Sequence, residues 1–291
     1  MKLSLRNPRP TRTATIAIAS VAAGMAVTVP GIALATNSGQ DVPAPPANPT
    51  SASQIQNVDQ VKASIASYYG EPAGSPNIVT LSPTDAAAVG TPTIHQFTAD
   101  SAYAHETEGV AAAAGKYLAK QAKSHQKPGD AAPAIVFDVD DTTLTTYSYE
   151  IFSGYVFNGT TNGNFVNAAS AAVFPATPGM ADLEAKAIAE GYTVFFLTGR
   201  PEGQRTATEK NLTAAGYTVD DSQVYLKDNA LPWLSSCTPT CSRTQYKSLT
   251  RQHIESLGYH IVANLGDQYS DLNGGFSDTT YKVPNPTYFL P

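Results

Sequence analysis

The 291-residue chain is 42% apolar and only 14% charged, enough for one sizeable globular domain plus some appended chain, so disorder is excluded as the rule for the whole. Its formal net charge is -6, and because the first 35 residues carry four cations and no anion, the remainder stands at -10. Such an acidic body argues against a nucleic acid polymer or an anionic membrane as the main partner, but it admits a small phosphate ester, since a bound divalent cation and one or two local cations reverse the field within a pocket.

The four cations, Lys2, Arg6, Arg9 and Arg12, precede an uncharged run from Thr13 to Gln40 rich in Ala, Val and Ile and broken at Pro30-Gly31. Within it Ala33-Leu34-Ala35 fits the small-x-small cleavage rule, so residues 1–35 read as a signal peptide cut after Ala35, which implies a secreted protein with no membrane attachment after cleavage. The alternative is an uncleaved anchor: the run is long enough to span a bilayer, although its Ala, Thr, Ser and Gly content makes a poor permanent span. Residues 36–53 form a Pro-, Ala- and Ser-rich linker without apolar periodicity, and residues 54–291 form the folded domain.

From Gln54, apolar Ile55, Val58, Val61, Ile65 and Tyr68 recur every three or four residues until Gly70, which predicts a helix. A second helix is predicted from about Ala99 to Ser124. Beyond Pro128-Gly129 the pattern changes. Short apolar runs at 134–137 (AIVF), 192–197 (YTVFFL), 222–226 (SQVYL) and 260–265 (HIVANL) alternate with helical stretches, which predicts an α/β fold with a parallel sheet covered on both faces.

In such sheets ligands sit beyond the carboxyl ends of the strands. Three of the runs end in polar residues there: Asp138-Val139-Asp140-Asp141-Thr142, Thr198-Gly199-Arg200, and Gly266-Asp267-Gln268-Tyr269-Ser270-Asp271. Asp138 and Asp140, two apart on an extended strand, share a side, and two such carboxylates favour a proton on one or a cation between them. Phosphoryl transfer uses both outcomes: a carboxylate nucleophile, a carboxyl proton donor and a divalent cation. Each piece alone has a plainer reading. D-x-D-x-T is commonly an acidic turn, Thr198 a cap residue, Lys247 a solvated surface lysine, and Asp267 and Asp271 helix-capping acids.

The order of the pieces is more specific than any one of them. An apolar strand with D-x-D-x-T, another with T-G-R, a helical Lys and a strand with G-D-x-x-x-D resemble the four motifs of the haloacid-dehalogenase (HAD) superfamily, in that superfamily's order. DVDDTTLTTYSY (138–149) and the ending KVPNPTYFLP further resemble the subfamily IIIB acid phosphatase branch, which includes bacterial class B/C-type enzymes and plant acid phosphatases and vegetative storage proteins. Asp141 departs from the Glu usual in that pattern.

The resemblance implies a HAD-type Rossmann-like parallel sheet flanked by helices, with a small cap insertion at about 145–180 and N-terminal helices. It also implies a Mg²⁺-dependent acid phosphatase acting on a small phosphomonoester through a phosphoaspartate. On that reading Asp138 is the nucleophile, Asp140 the acid and then base, Thr198 a hydrogen-bond donor to phosphate, and Lys247 the balancing charge. Mg²⁺ is held by Asp138, Asp140 and Asp267, with Asp271 as a further ligand or orienting metal waters or Lys247. Thr142, Gly199, Arg200 and Tyr149 are candidate substrate contacts, although Arg200 is equally a structural residue. A phosphotransferase using the same residues, or a catalytically weak storage or binding protein of the same fold, are the alternatives.

The aromatics of the insertion, Tyr147, Tyr149, Phe152, Tyr155 and Phe157, either pack the cap or stack on a nucleoside or aryl leaving group. Asn158 and Asn211 head sequons for glycosylation. Cys237 and Cys241, the only cysteines, read as a small disulfide loop in an exported chain.

Overall fold

The computed structural model describes residues 47–122 and 130–290. The expected signal peptide and most of the expected linker lie outside the described residues; the linker's described end, 47–53, is exposed and leads into a 3-10 turn at Ala52–Gln54. Helix α1 (Val58–Tyr68) starts at Asn57, whose side chain accepts from the Gln60 amide. It buries Ile65, whereas Ile55, Val58 and Val61 remain 62%, 66% and 39% exposed, so only the C-terminal part of its apolar stripe reaches the core. Strands β1 (Ile78–Thr80) and β2 (Thr93–His95) pair antiparallel around helix α2 (Pro83–Val89), and helix α3 (Ala102–Gln121) follows, capped by Ser101. At three residues each, β1 and β2 are too short to show in the sequence pattern.

The main sheet is parallel throughout, in the order β5-β4-β3-β6-β7. Its central strand is β3 (Ala132–Phe137), whose side chains alternate between two cores: Ile135 and Phe137 face one, Ala134 and Val136 the other. β4 (Thr193–Pro201) repeats this with Val194 and Phe196 against Phe195 and Leu197. Strands buried on both faces need apolar residues at every position, so these runs are continuous rather than alternating.

Helices α4 (Tyr147–Ser153) and α5 (Gly159–Ala168) lie in the segment between β3 and α6 (Met180–Ala189). The larger core packs α3, α6 and α7 (Arg205–Ala214) on one face of the sheet. On the other face lie a 3-10 stretch at Pro232–Cys237 and α8 (Arg243–Ser256), which follows β5 (Val224–Lys227). The chain then crosses to β6 (Tyr259–Gly266), the short helix α9 (Tyr269–Leu272) and the edge strand β7 (Thr279–Lys282). β7 was not expected from the sequence, because TTYK carries no apolar run. Among the described residues, no helix is long and apolar enough to cross a membrane.

Cys237 and Cys241 form a disulfide just before α8, with Cys241 packed in the same core as Leu234, Tyr246 and Leu249. Of the two sequons, Asn158 is exposed, whereas Asn211 is fully buried and donates to the Phe174 carbonyl at 3.0 Å, so the folded chain cannot present it for glycosylation. The disulfide closes only a short loop, so its chain-entropy contribution is about 2 kcal/mol. A Cys237→Ser/Cys241→Ser variant is expected to lose about that much in urea denaturation; a loss near zero contradicts a stabilising role.

Candidate functional site

β3 and β6 are neighbours, yet the chain leaves them toward opposite halves of the sheet. Their carboxyl ends therefore flank a topological switch point, where the loops diverge and open a crevice. Asp138 follows β3 directly and donates its amide to the Leu265 carbonyl at 2.9 Å, which sets it beside the Gly266-Asp267 turn. A Cβ at Gly266 would lie 2.4 Å from the Asp271 Cβ, so only glycine lets α9 approach this closely. α9 adds a capping box: the Gln268 amide donates to Asp271 Oδ2 at 3.0 Å.

The carboxylates of Asp138, Asp267 and Asp271 converge, with one oxygen of each within 4.8 Å of the others, and all three residues are buried. One ammonium meets them. Lys247 of α8 contacts Asp138 Oδ1, reaches Asp271 Oδ1 at 3.1 Å and donates to the Leu197 carbonyl at 2.5 Å. Asp138 Oδ2 accepts no hydrogen bond among the described residues, whereas Asp267 is heavily held. Its Oδ1 accepts from Thr142 Oγ1 at 3.2 Å, and its Oδ2 accepts from Gln268 Nε2 at 2.5 Å and Asn285 Nδ2 at 2.7 Å.

Burial and mutual repulsion dominate the electrostatics. Desolvation, then the charge of Asp271, pushes the Asp138 carboxyl well above its usual range, with Lys247 working in the opposite direction. Desolvation and then Asp271 raise Asp267 to about 7, partly offset by the bonds from Asn285 and Gln268. Burial works against the charge on Lys247, but Asp138 and Asp271 more than offset it and raise its pKa. Three buried carboxylates against one ammonium leave an excess of negative charge that protons or a cation must neutralise, and an all-oxygen donor set suits a hard divalent cation.

Asp138, Asp140, Thr198 and Asp267 stand at or just beyond the carboxyl ends of β3, β4 and β6, while Lys247 reaches them from α8 and Asp271 from α9. The Asp140 side chain lies outside the three-carboxylate cluster and is gripped by buried Arg200, whose Nη2 donates at 2.6 Å and Nε at 3.1 Å. Arg200 Nη1 donates to Thr208 Oγ1 at 3.1 Å, so the guanidinium is engaged by protein partners on Asp140 and Thr208. Thr142 is likewise committed to Asp267. Thr198 is fully buried and accepts from the Arg200 amide at 3.1 Å, while Gly199 is exposed beside it.

Tyr149 is only 1% exposed. Its hydroxyl accepts from the Asn158 amide at 2.8 Å and its ring packs edge-on against Phe165, so it belongs to the interior of the insertion and offers no stacking face. Tyr147 stacks on Tyr69 and donates to Glu71 at 2.5 Å. Phe152 and Phe157 are the exposed aromatics of the segment, at 47% and 76%.

Other residues at the site escaped the sequence reading. Asp141, at φ 56°, accepts from the Thr146 amide and hydroxyl, and burial raises it to about 7. Glu150 of α4 is 7% exposed and is raised to about 7 by burial and then by Asp140. Gln268 lay in plain view inside the G-D-x-x-x-D motif, but nothing marked it apart. Asn285 lay in the quoted C-terminal ending, where similarity alone assigned no role.

Comparison with known proteins is consistent with this geometry. The family described as "HAD superfamily, subfamily IIIB (Acid phosphatase)" matches residues 80–291. The chain is 32% identical over 201 residues to acid phosphatase 1 of Solanum lycopersicum, covering 68% of this chain and 73% of that protein. It is 35% identical over 160 residues to the stem 28 kDa glycoprotein of Glycine max, covering 53% of this chain and 59% of that one, so it spans little more than half the length of that relative. Among solved structures, the class C acid phosphatase of Bacillus anthracis is similar at a TM-score of 0.49 and 21% identity, over 63% of this chain and 80% of that one.

The raised carboxyls have a measurable consequence. With folded values near 7 against the usual 3.8, Asp267 and Asp141 keep protons in the cation-free folded state that the unfolded chain has already released. Their stabilising contribution is therefore complete below about pH 4 and lost as pH rises through about 7. The melting temperature in EDTA is expected to fall between about pH 5 and pH 7, and a divalent cation that binds the Asp138–Asp267–Asp271 cluster is expected to raise it more at the higher pH, where it competes with fewer protons. A melting temperature in EDTA that climbs over this interval contradicts the assignment.

Proposed function

The chain belongs to the HAD superfamily, subfamily IIIB (acid phosphatase), and from that premise we propose that it is a secreted, Mg²⁺-dependent acid phosphatase that hydrolyses small phosphomonoesters through a phosphoaspartate on Asp138. The observation that carries this reading is the Asp138 carboxylate itself, buried, contacted by Lys247 through one oxygen and, among the described residues, accepting no hydrogen bond at the other. A storage role, which the relatives named vegetative storage proteins of Arabidopsis thaliana bring to mind, does not require that arrangement.

In the proposed reaction Asp138 Oδ2 attacks phosphorus and the bond from phosphorus to the ester oxygen breaks. Asp140 gives its proton to the departing alkoxide, so an alcohol leaves. Asp140, now a carboxylate, takes a proton from water. The resulting hydroxide attacks phosphorus, the bond to Asp138 breaks, and inorganic phosphate is released with both carboxyls restored. Arg200 fixes where Asp140 stands for both proton transfers. Lys247 offsets charge on Asp138 and on the transferring group as a point charge, and Thr198 donates to a phosphate oxygen. Asp138, Asp267 and Asp271, together with the main-chain carbonyl of Asp140, would hold Mg²⁺, which would supply further positive charge against the developing anion. The segment at about 145–180, with α4 and α5, serves as the cap over this chemistry.

Export rests on residues 1–35, with the Cys237–Cys241 disulfide in keeping with an oxidising compartment.

Release of phosphate from p-nitrophenyl phosphate with Mg²⁺ is the first assay. Asp138→Asn is expected to fold with an unchanged circular dichroism spectrum and to lose turnover by roughly three orders of magnitude or more, as nucleophile removals do. Turnover close to wild type removes the covalent route. Arg200→Gln frees the Asp140 carboxylate and is expected to lower kcat by up to roughly 100-fold, the scale of a misplaced catalytic group. An unchanged kcat denies Arg200 the positioning role.

A further inference from the structure

After β7 the chain does not leave the molecule but turns back across the crevice. Val283 donates its amide to the Gly266 carbonyl at 2.9 Å, continuing the sheet pairing to the very edge of the Asp267 turn. Two residues later Asn285 points its amide nitrogen at Asp267 Oδ2, at 2.7 Å, and reaches Asp141 Oδ2 at 3.5 Å. The other end of that amide is fixed. Thr287 donates to Asn285 Oδ1 from its main-chain amide at 2.8 Å and from its hydroxyl at 2.6 Å. An amide oxygen that accepts twice must face Thr287, which turns the two N–H donors toward the carboxylates. Gln268, the second donor to Asp267 Oδ2, is tied to the same tail, since its Oε1 accepts from the Leu290 amide at 2.7 Å.

This arrangement divides the two oxygens of Asp267 between two tasks. Oδ2 is filled by Asn285 and Gln268, both from segments anchored to the tail. Among the described residues Oδ1 holds only the longer contact from Thr142 and keeps lone-pair capacity for a ligand. A carboxylate held in this way is oriented in advance.

We propose that Asn285, clamped by Thr287, is a positioning residue that sets the affinity of the Asp138–Asp267–Asp271 cluster for a divalent cation, so that the Asn285-Pro286-Thr287 turn is a working part of the metal site. The inference rests on the metal-dependent reading of that cluster. Loss of an outer hydrogen bond to a metal-binding side chain commonly weakens binding about 10- to 100-fold.

The test is calorimetric titration of the full chain with Mg²⁺ alone, backed by the Mg²⁺-induced shift in melting temperature. Asn285→Ala is expected to weaken the Mg²⁺ Kd by about 10-fold or more. Thr287→Val removes one of the two donors to Asn285 Oδ1 and is expected to weaken it by a smaller, several-fold step. If Asn285→Ala does not fold, Thr287→Val decides the question on its own. Wild-type Mg²⁺ affinity in the folded variants overturns the proposal, as does a wild-type chain that binds no Mg²⁺. Phosphate release by the wild-type chain is scored separately. Weakened Mg²⁺ binding in the variants of a chain that releases no phosphate supports the clamp and sinks the hydrolase reading. An active wild type whose variants bind Mg²⁺ equally well sinks the clamp alone.

Discussion

Burying three carboxylates around a single lysine is the constraint on which the rest of this structure depends. Each of Asp138, Asp267 and Asp271 is expensive to place out of water, and Lys247 can compensate only part of the cost. The surroundings are accordingly rich in donors. Gln268, Asn285 and Thr142 serve Asp267, and the Gln268 amide serves Asp271. Fully buried Arg251 donates to three carbonyls of the turn, at Asp271, Asn273 and Gly275, and so pins the α9 turn that carries the third acid. Burial and mutual repulsion still hold the Asp138 and Asp267 carboxyls above their usual range, so the compensation is incomplete.

The sheet makes this concentration possible. Asp138, Leu197, Lys247 and Asp267 lie far apart in the chain and meet because parallel strands end side by side at one edge. The crossover from β5 through α8 to β6 carries the lysine over that edge. Side chains leaving β3 and β4 alternate between two cores, so the strands are fixed on both faces and their ends cannot drift. Rigid strands present the acids, while the tail beyond β7 returns to them through Asn285 and Leu290.

Much of this was legible in the sequence, and what was not has identifiable causes. β3, β4 and β6 were plain because doubly buried strands are continuous apolar runs, β5 because Val224-Tyr225-Leu226 is apolar, and the acids were plain because they stand where those runs stop. β7 was hidden by its polarity and the β1–β2 pair by its brevity. Ile55, Val58 and Val61 show the opposite failure, a sound helical period whose apolar side remains in solvent. Roles that depend on what a side chain touches could not be read from spacing: Arg200 looked equally suited to substrate or scaffold until its fork was found on Asp140, and Tyr149 looked available until its hydroxyl was found on Asn158. Asn285 was invisible for the same reason, since its partners are contributed by loops 18 and 144 residues away.

The central claim, that Asp138 itself carries the phosphoryl group, is tested most directly by mass spectrometry of the chain quenched in acid during turnover of a phosphomonoester with Mg²⁺. The account predicts a peptide spanning Asp138 that has gained one HPO₃ unit, with fragment ions placing it on that residue. Hydrolysis that proceeds with no such adduct on Asp138 at any quench time, or with the adduct on another residue, would contradict it.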